Sequence, residues 1–143
     1  MDKIFVCIGS PNFVFDSLGP HVGTKLKDLG YEVIGTMEEP VHGTNMKDYW
    51  EVIKKLDKQN VISIDSALSK IIEPGKLVHR YTKGVVPRAG VDKSFNDIEI
   101  GSSSIIGVVG EDINNVITSE NEIKEMADDI VNYAINLYPK TIQ

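Results

Sequence analysis

Two aspartates, Asp16 and Asp65, stand where an apolar run gives way to turn-forming residues. A carboxylate can take a proton from water, return one to a leaving group, or bind a hard or borderline metal ion. Two held together with unequal proton affinities can divide the acid and base roles. The first follows Lys3-Ile4-Phe5-Val6-Cys7-Ile8-Gly9 and a short turn, and it directly precedes Ser17-Leu18-Gly19-Pro20. The second closes Asn60-Val61-Ile62-Ser63-Ile64. Each also has a plain structural duty open to it. Asp16 suits a helix N-cap, and Asp65 suits a turn carboxylate bonded to nearby backbone.

The other polar candidates surround this pair. His42 and Asn45, in Val41-His42-Gly43-Thr44-Asn45, precede a helix and are candidates to face the same crevice. Arg88 and Lys93 lie in Gly84-Val85-Val86-Pro87-Arg88-Ala89-Gly90-Val91-Asp92-Lys93, where either cation could hold a substrate carboxylate or oxyanion. His21 falls one turn into the first helix and is expected at a surface or interface. His79 alternates with Leu77 and Tyr81 and is expected to face solvent. Cys7 is the only cysteine, so neither an intramolecular disulfide nor a cysteine metal cluster is open to this chain. Its place within an apolar strand makes it a buried, inert thiol. No HExxH, GxSxG or Walker-type phosphate loop occurs. The residues identify no cofactor, and they leave open whether Asp16 and Asp65 bind a metal.

The elements that must position these groups alternate. Both aspartate-bearing runs are almost wholly apolar, as strands covered on both faces require, and ligands collect at the carboxyl edge of such a sheet. Leu18, Val22, Leu26 and Leu29 recur at helical spacing, with Pro20 in the first turn and Gly30 as the stop. Tyr31–Thr36 reads as a second strand. Asn45 is placed to cap a helix whose apolar stripe is Tyr49, Val52, Ile53 and Leu56. Gly75–Thr82 alternates like a half-exposed strand, Gly84–Gly101 is a long loop without a period, and Ser103–Gly110 is a buried strand. Ser119 and Glu122 form a capping box ahead of Ile123, Met126, Ala127, Ile130, Val131, Ala134 and Leu137. Alternating strands and helices predict a three-layer α/β/α domain, one unit over residues 1–143.

Composition narrows the partners. With 41% hydrophobic and 25% charged residues the chain is an ordinary globular one. A net charge of −6 disfavours nucleic acid and anionic lipid. No apolar stretch reaches the about 20 residues that span a bilayer, and the opening residues lack a signal-peptide pattern. A cytoplasmic protein without a nucleic-acid or membrane partner is expected. Phe13, Val14 and Phe15 are three consecutive bulky apolar residues in a turn. Such a turn is covered by its own domain or by another chain, so a homodimer is among the expected partners.

In order along the chain, Asp16-Ser17-Leu18-Gly19-Pro20, Pro40-Val41-His42-Gly43-Thr44-Asn45, Ile64-Asp65-Ser66-Ala67-Leu68, Pro87-Arg88-Ala89-Gly90-Val91-Asp92-Lys93 and Ile105-Ile106-Gly107-Val108-Val109 resemble the YyaC-type sporulation proteins. These are relatives of the spore germination protease. The resemblance implies the fold shared with hydrogenase-maturation proteases, a central, mostly parallel mixed sheet with helices on both faces, and a place in endospore-forming bacteria. It also implies an active site made by Asp16 and Asp65. In the maturation proteases the equivalent acidic positions help hold the client enzyme's nickel. The function so implied is amide hydrolysis on a protein or peptide substrate. The alternative is a non-catalytic module that keeps the protease fold to bind a partner. The turn before Asp16 departs from the Gly-Thr-Asp-Arg-Ser-Thr-Gly-Asp usual in such proteins, reading Gly9-Ser10-Pro11-Asn12-Phe13-Val14-Phe15-Asp16.

Overall fold

A computed structural model describes residues 2–87 and 98–140. The candidate cations Arg88 and Lys93 lie outside the described residues. Strand β1 (Ile4–Cys7) leads through a one-turn 3-10 helix (Val14–Asp16) into α1 (Leu18–Asp28) and β2 (Glu32–Ile34). Helix α2 (Met46–Ile53) then returns the chain to β3 (Val61–Leu68), and β4 (Leu77–Arg80), β5 (Ser103–Asp112), β6 (Asn115–Val116) and α3 (Glu120–Leu137) follow. The strands form one sheet in the order β2-β1-β3-β5-β4, with β6 also on β5. The pairs β2–β1, β1–β3 and β3–β5 are parallel, whereas β4 and β6 run antiparallel to β5.

Period-2 alternation sorts the side chains between two cores. Phe5, Cys7, Ile62, Ile64, Ile105 and Val109 face α1 and α3, where they bury Leu18, Val22, Leu26, Ile123, Met126, Ile130 and Ala134. Val6, Ile8 and Val61 face the opposite way and pack on Met46 and Ile53 of α2. These two helical layers around one sheet are the three-layer α/β/α architecture the alternation predicts. The Ser119 hydroxyl accepts from the Glu122 amide, so the cap read from sequence starts α3. Lys25 of α1 and Asp128 of α3 form an ion pair across the helical layer.

Several local expectations change. The helical stripe of α2 is set by Met46 and Ile53, while Val52 is exposed. Asn45 precedes α2 without capping it. Strand β3 continues past Asp65 to Leu68, because β5 still offers partners there: Asp65 pairs with Ile106 and Ala67 with Val108. The chain turn is not at Asp65. What stops there is the neighbour, since the last β1–β3 pair is Cys7 with Ile64. Asp65 is therefore the first β3 residue with a vacant flank.

Candidate functional site

Gly9 breaks away from the sheet where that flank opens. A side chain at Gly9 would put its Cβ 2.2 Å from the Asp16 carbonyl oxygen, so the backbone of the Asp16 turn can lie this close only over a glycine. The Ser10 amide donates to that carbonyl at 2.9 Å and to the Asp16 carboxylate Oδ2 at 3.2 Å. The N-cap position of α1 belongs to Ser17, whose hydroxyl donates back to Val14. The carboxylate of Asp16 is thus free of the capping duty that its position suggested.

His42 comes from the neighbouring loop. Val41 bridges Ile8, and its carbonyl accepts from the Gly9 amide at 2.8 Å. Asn45 folds this loop from within. Its Oδ1 accepts from the His42 amide and its Nδ2 donates to the Pro40 carbonyl, both at 2.8 Å. His42 Nδ1 meets the Thr44 hydroxyl at 2.8 Å. Asn45 thus shapes the turn that presents His42.

Asp16, His42 and Asp65 converge on one cavity of about 80 Å³, closed by Ile8, Gly9, Gly43 and Pro87. Burial raises the Asp16 carboxyl above its ordinary range, while the Ser10 amide and the His42 charge pull it down. Asp65 is pushed up to about 8, chiefly by burial and further by the charge of Asp16, against the Ser66 amide and Arg80. The Ser66 amide donates to Asp65 Oδ1 at 2.8 Å, the local backbone bond expected of a turn aspartate. With its midpoint near 8, Asp65 holds a proton at neutral pH that it can donate. Neither Phe13 nor Phe15 lines the cavity. Among the described residues, no three His, Cys, Asp or Glu side chains are placed to hold a metal ion.

Asp65 also borders a second, larger cavity of about 530 Å³ over β3, β5 and β4 on the α2 side of the sheet. Arg80, Lys83, Glu99 and Ser66 supply its polar groups. Sequence reading missed Arg80, Glu99 and the serines that hold this wall. The Ser104 hydroxyl accepts from Arg80 Nε at 2.8 Å and donates to the Lys83 carbonyl at 2.7 Å. The Arg80 terminal nitrogen reaches the Gly84 carbonyl at 2.7 Å. Ser63 Oγ accepts from the Val85 amide at 3.0 Å. The one available signal was polarity out of place: Ser63 and Ser104 interrupt apolar strands.

The remaining histidines serve the other face. His21 is buried rather than at the surface, and desolvation holds its ring below the ordinary histidine range despite Glu120. His79 is half-buried rather than solvent-facing. Its Nδ1 meets the Tyr133 hydroxyl at 2.9 Å and its ring lies 4.0 Å from Tyr81. Burial raises Cys7 far above the thiol range, which makes it inert.

The chain belongs to the family described as Protein of unknown function (DUF1256), whose model matches residues 1–133. Over 113 residues it is 40% identical to "Uncharacterized protein YyaC" of Bacillus subtilis (strain 168), covering 74% of this chain and 52% of that protein. The chain thus spans about half the length of this curated relative. The YyaC-type resemblance read from the sequence blocks holds. Among solved structures, the [NiFe] hydrogenase maturation protease HybD from Thermococcus kodakarensis superposes with a TM-score of 0.62 at 19% identity, covering 96% of this chain and 99% of its own. The maturation protease HycI from the same organism gives a TM-score of 0.59 at 16% identity, over 95% of this chain and 91% of its own. An uncharacterized protein from Wolinella succinogenes gives 0.57 at 11%, over 96% of both chains. These likenesses establish a maturation-protease fold.

Proposed function

We propose that this chain is a peptidase-like protein of sporulating cells, one cytoplasmic unit over residues 1–143, that hydrolyses an amide bond in a protein or peptide. The observation that carries the reading is the shared cavity of Asp16 and Asp65, where burial raises both carboxyls and pushes Asp65 up to about 8. Asp16, bonded to the Ser10 amide and facing the His42 charge, acts as the base. It takes a proton from water as the water oxygen attacks the amide carbonyl carbon. Asp65, held protonated by burial, gives its proton to the leaving nitrogen as the C–N bond breaks. The products are a carboxylic acid and an amine, and proton transfer from Asp16 back to Asp65 restores the site.

The protease names of the structural neighbours agree with this reading at the level of fold. The alternative is a partner-binding module on the same scaffold. It draws on Phe13, which is 58% exposed in the turn before Asp16 and offers a contact that hydrolysis does not need. The two are separated by incubating the purified protein with a soluble extract of sporulating Bacillus subtilis and identifying new protein amino termini by mass spectrometry. Wild-type protein should generate termini that neither Asp16→Asn nor Asp65→Asn generates. Identical terminus profiles for all three would end the hydrolytic reading and favour the binding module.

A further inference from the structure

The cavity of about 530 Å³ has the size of a small-ligand site, and its construction specifies an occupant. Its floor is apolar by register. Val78 pairs with Ile106, Ile106 with Asp65, and Ala67 with Val108, so these side chains share one sheet face. Its wall is rigid. A Cβ at Gly84 would lie 2.0 Å from the Ile100 carbonyl oxygen, and Val85 and Ile100 exchange backbone hydrogen bonds at 3.0 and 2.7 Å. Its rim includes Ile72, which is 37% exposed, an apolar group that an occupant would cover.

The polar side of the cavity carries both signs of charge, Glu99 against Arg80 and Lys83. Arg80 commits N–H groups to Ser104 and Gly84, and a guanidinium carries five, so donors are left for a neutral carbonyl oxygen. We infer that this cavity receives an extended peptide segment, with a large apolar side chain on Val78, Ile106 and Val108 and a backbone carbonyl at Arg80. The placement of the scissile amide beside Asp65 rests on the hydrolytic reading above. The seating of the side chain does not.

The test reads binding without turnover. The blocked peptides acetyl-Ala-Phe-Ala-amide and acetyl-Ala-Ser-Ala-amide are titrated to millimolar concentration into isotope-labelled protein, and backbone NMR shifts are followed. The phenylalanine peptide should move the amides of Ala67, Val78 and Ile106, and bind about tenfold or more tightly than the serine peptide, as burial of a large apolar side chain requires. Ala67→Leu, which fills the floor, should abolish these shifts while the rest of the spectrum stays native. Ile72→Ser, at the exposed rim and harmless to folding, should weaken them severalfold. Equal binding of the two peptides, shifts located elsewhere, or no shifts at all would overturn the inference. Seating in the cavity without cleavage of any extract protein would instead count against hydrolysis alone. Extract cleavage undiminished by Ala67→Leu would count against the cavity alone.

Discussion

The Asp65 carboxyl is pushed up to about 8 mainly because the surrounding sheet excludes water, and the nearby Asp16 charge adds to the rise. In an unfolded chain the same group titrates near 3.8. Between these values the folded protein holds a proton that the unfolded chain has released. Asp65 therefore contributes its full stability below the lower value, and that contribution is lost as pH rises toward the upper one. The loss is at the limit about 1.4 kcal/mol per pH unit. Asp65→Asn removes the titration, so the stability of the variant relative to the parent should rise steadily from pH 5 to pH 8. Thermal melts of both proteins across this range test it, and parallel curves would refute the burial argument. A proton donor lost near pH 8 also predicts that extract cleavage declines above that pH. At Asp16 the effect of His42 has the opposite sign, since its charge lowers the carboxyl. His42→Ala should raise the Asp16 titration midpoint in carboxyl-detected NMR, and an unchanged midpoint would remove His42 from the site. The two carboxyls interact, so their midpoints belong to the pair.

At the scale of elements, the site depends on close backbone approaches and on how the turn before α1 is seated. Gly9→Ala places a Cβ 2.2 Å from the Asp16 carbonyl, and backbone must move to relieve it. Melting should show a loss of about 2 kcal/mol or more, with Asp16 displaced and extract cleavage reduced beyond what stability explains. The turn divides its phenylalanines. Phe15 and Val14 are half-buried against the α1–α3 core, whereas Phe13 is exposed and its ring lies 6.0 Å from that of Phe15. Phe15→Ser should therefore cost about 1–2 kcal/mol, and Phe13→Ser should leave monomer melting unchanged. Sequence alone grouped the three residues as one apolar turn, because which face a 3-10 turn presents depends on the helix it meets. Only the docked α3 sorts them.

For the molecule as a whole, Phe13 is the test of the expected homodimer. Sedimentation of the parent at micromolar concentration should show association that Phe13→Ser abolishes, and a parent that stays monomeric at all concentrations would end the dimer reading. The net charge of −6 sets the long-range field, so such a dimer should strengthen with salt as like charges are screened. No helix among the described residues is long and apolar enough to cross a membrane.

Periodicity and caps determined much of this protein before any folding was considered. The apolar runs of β1, β3 and β5, the stripe of α1 and the Ser119 cap of α3 each follow from local chemistry, so the alternation of strands and helices was legible, and with it the layered fold. The blocks around Asp16 and Asp65 likewise marked the two carboxyls. The tertiary structure decided what those residues meet. Asp65 does not end its strand, but β1 ends beside it, a fact of register between segments far apart in sequence. Asn45 builds a turn instead of a cap, and His79 finds Tyr133 of α3 instead of solvent. Arg80, Ser63 and Ser104 become the wall of a cavity only once β3, β5 and β4 lie side by side. Local patterns record which face of an element is apolar. The burial that shifts a carboxyl depends on the neighbour across the sheet, and pairing order alone supplies that.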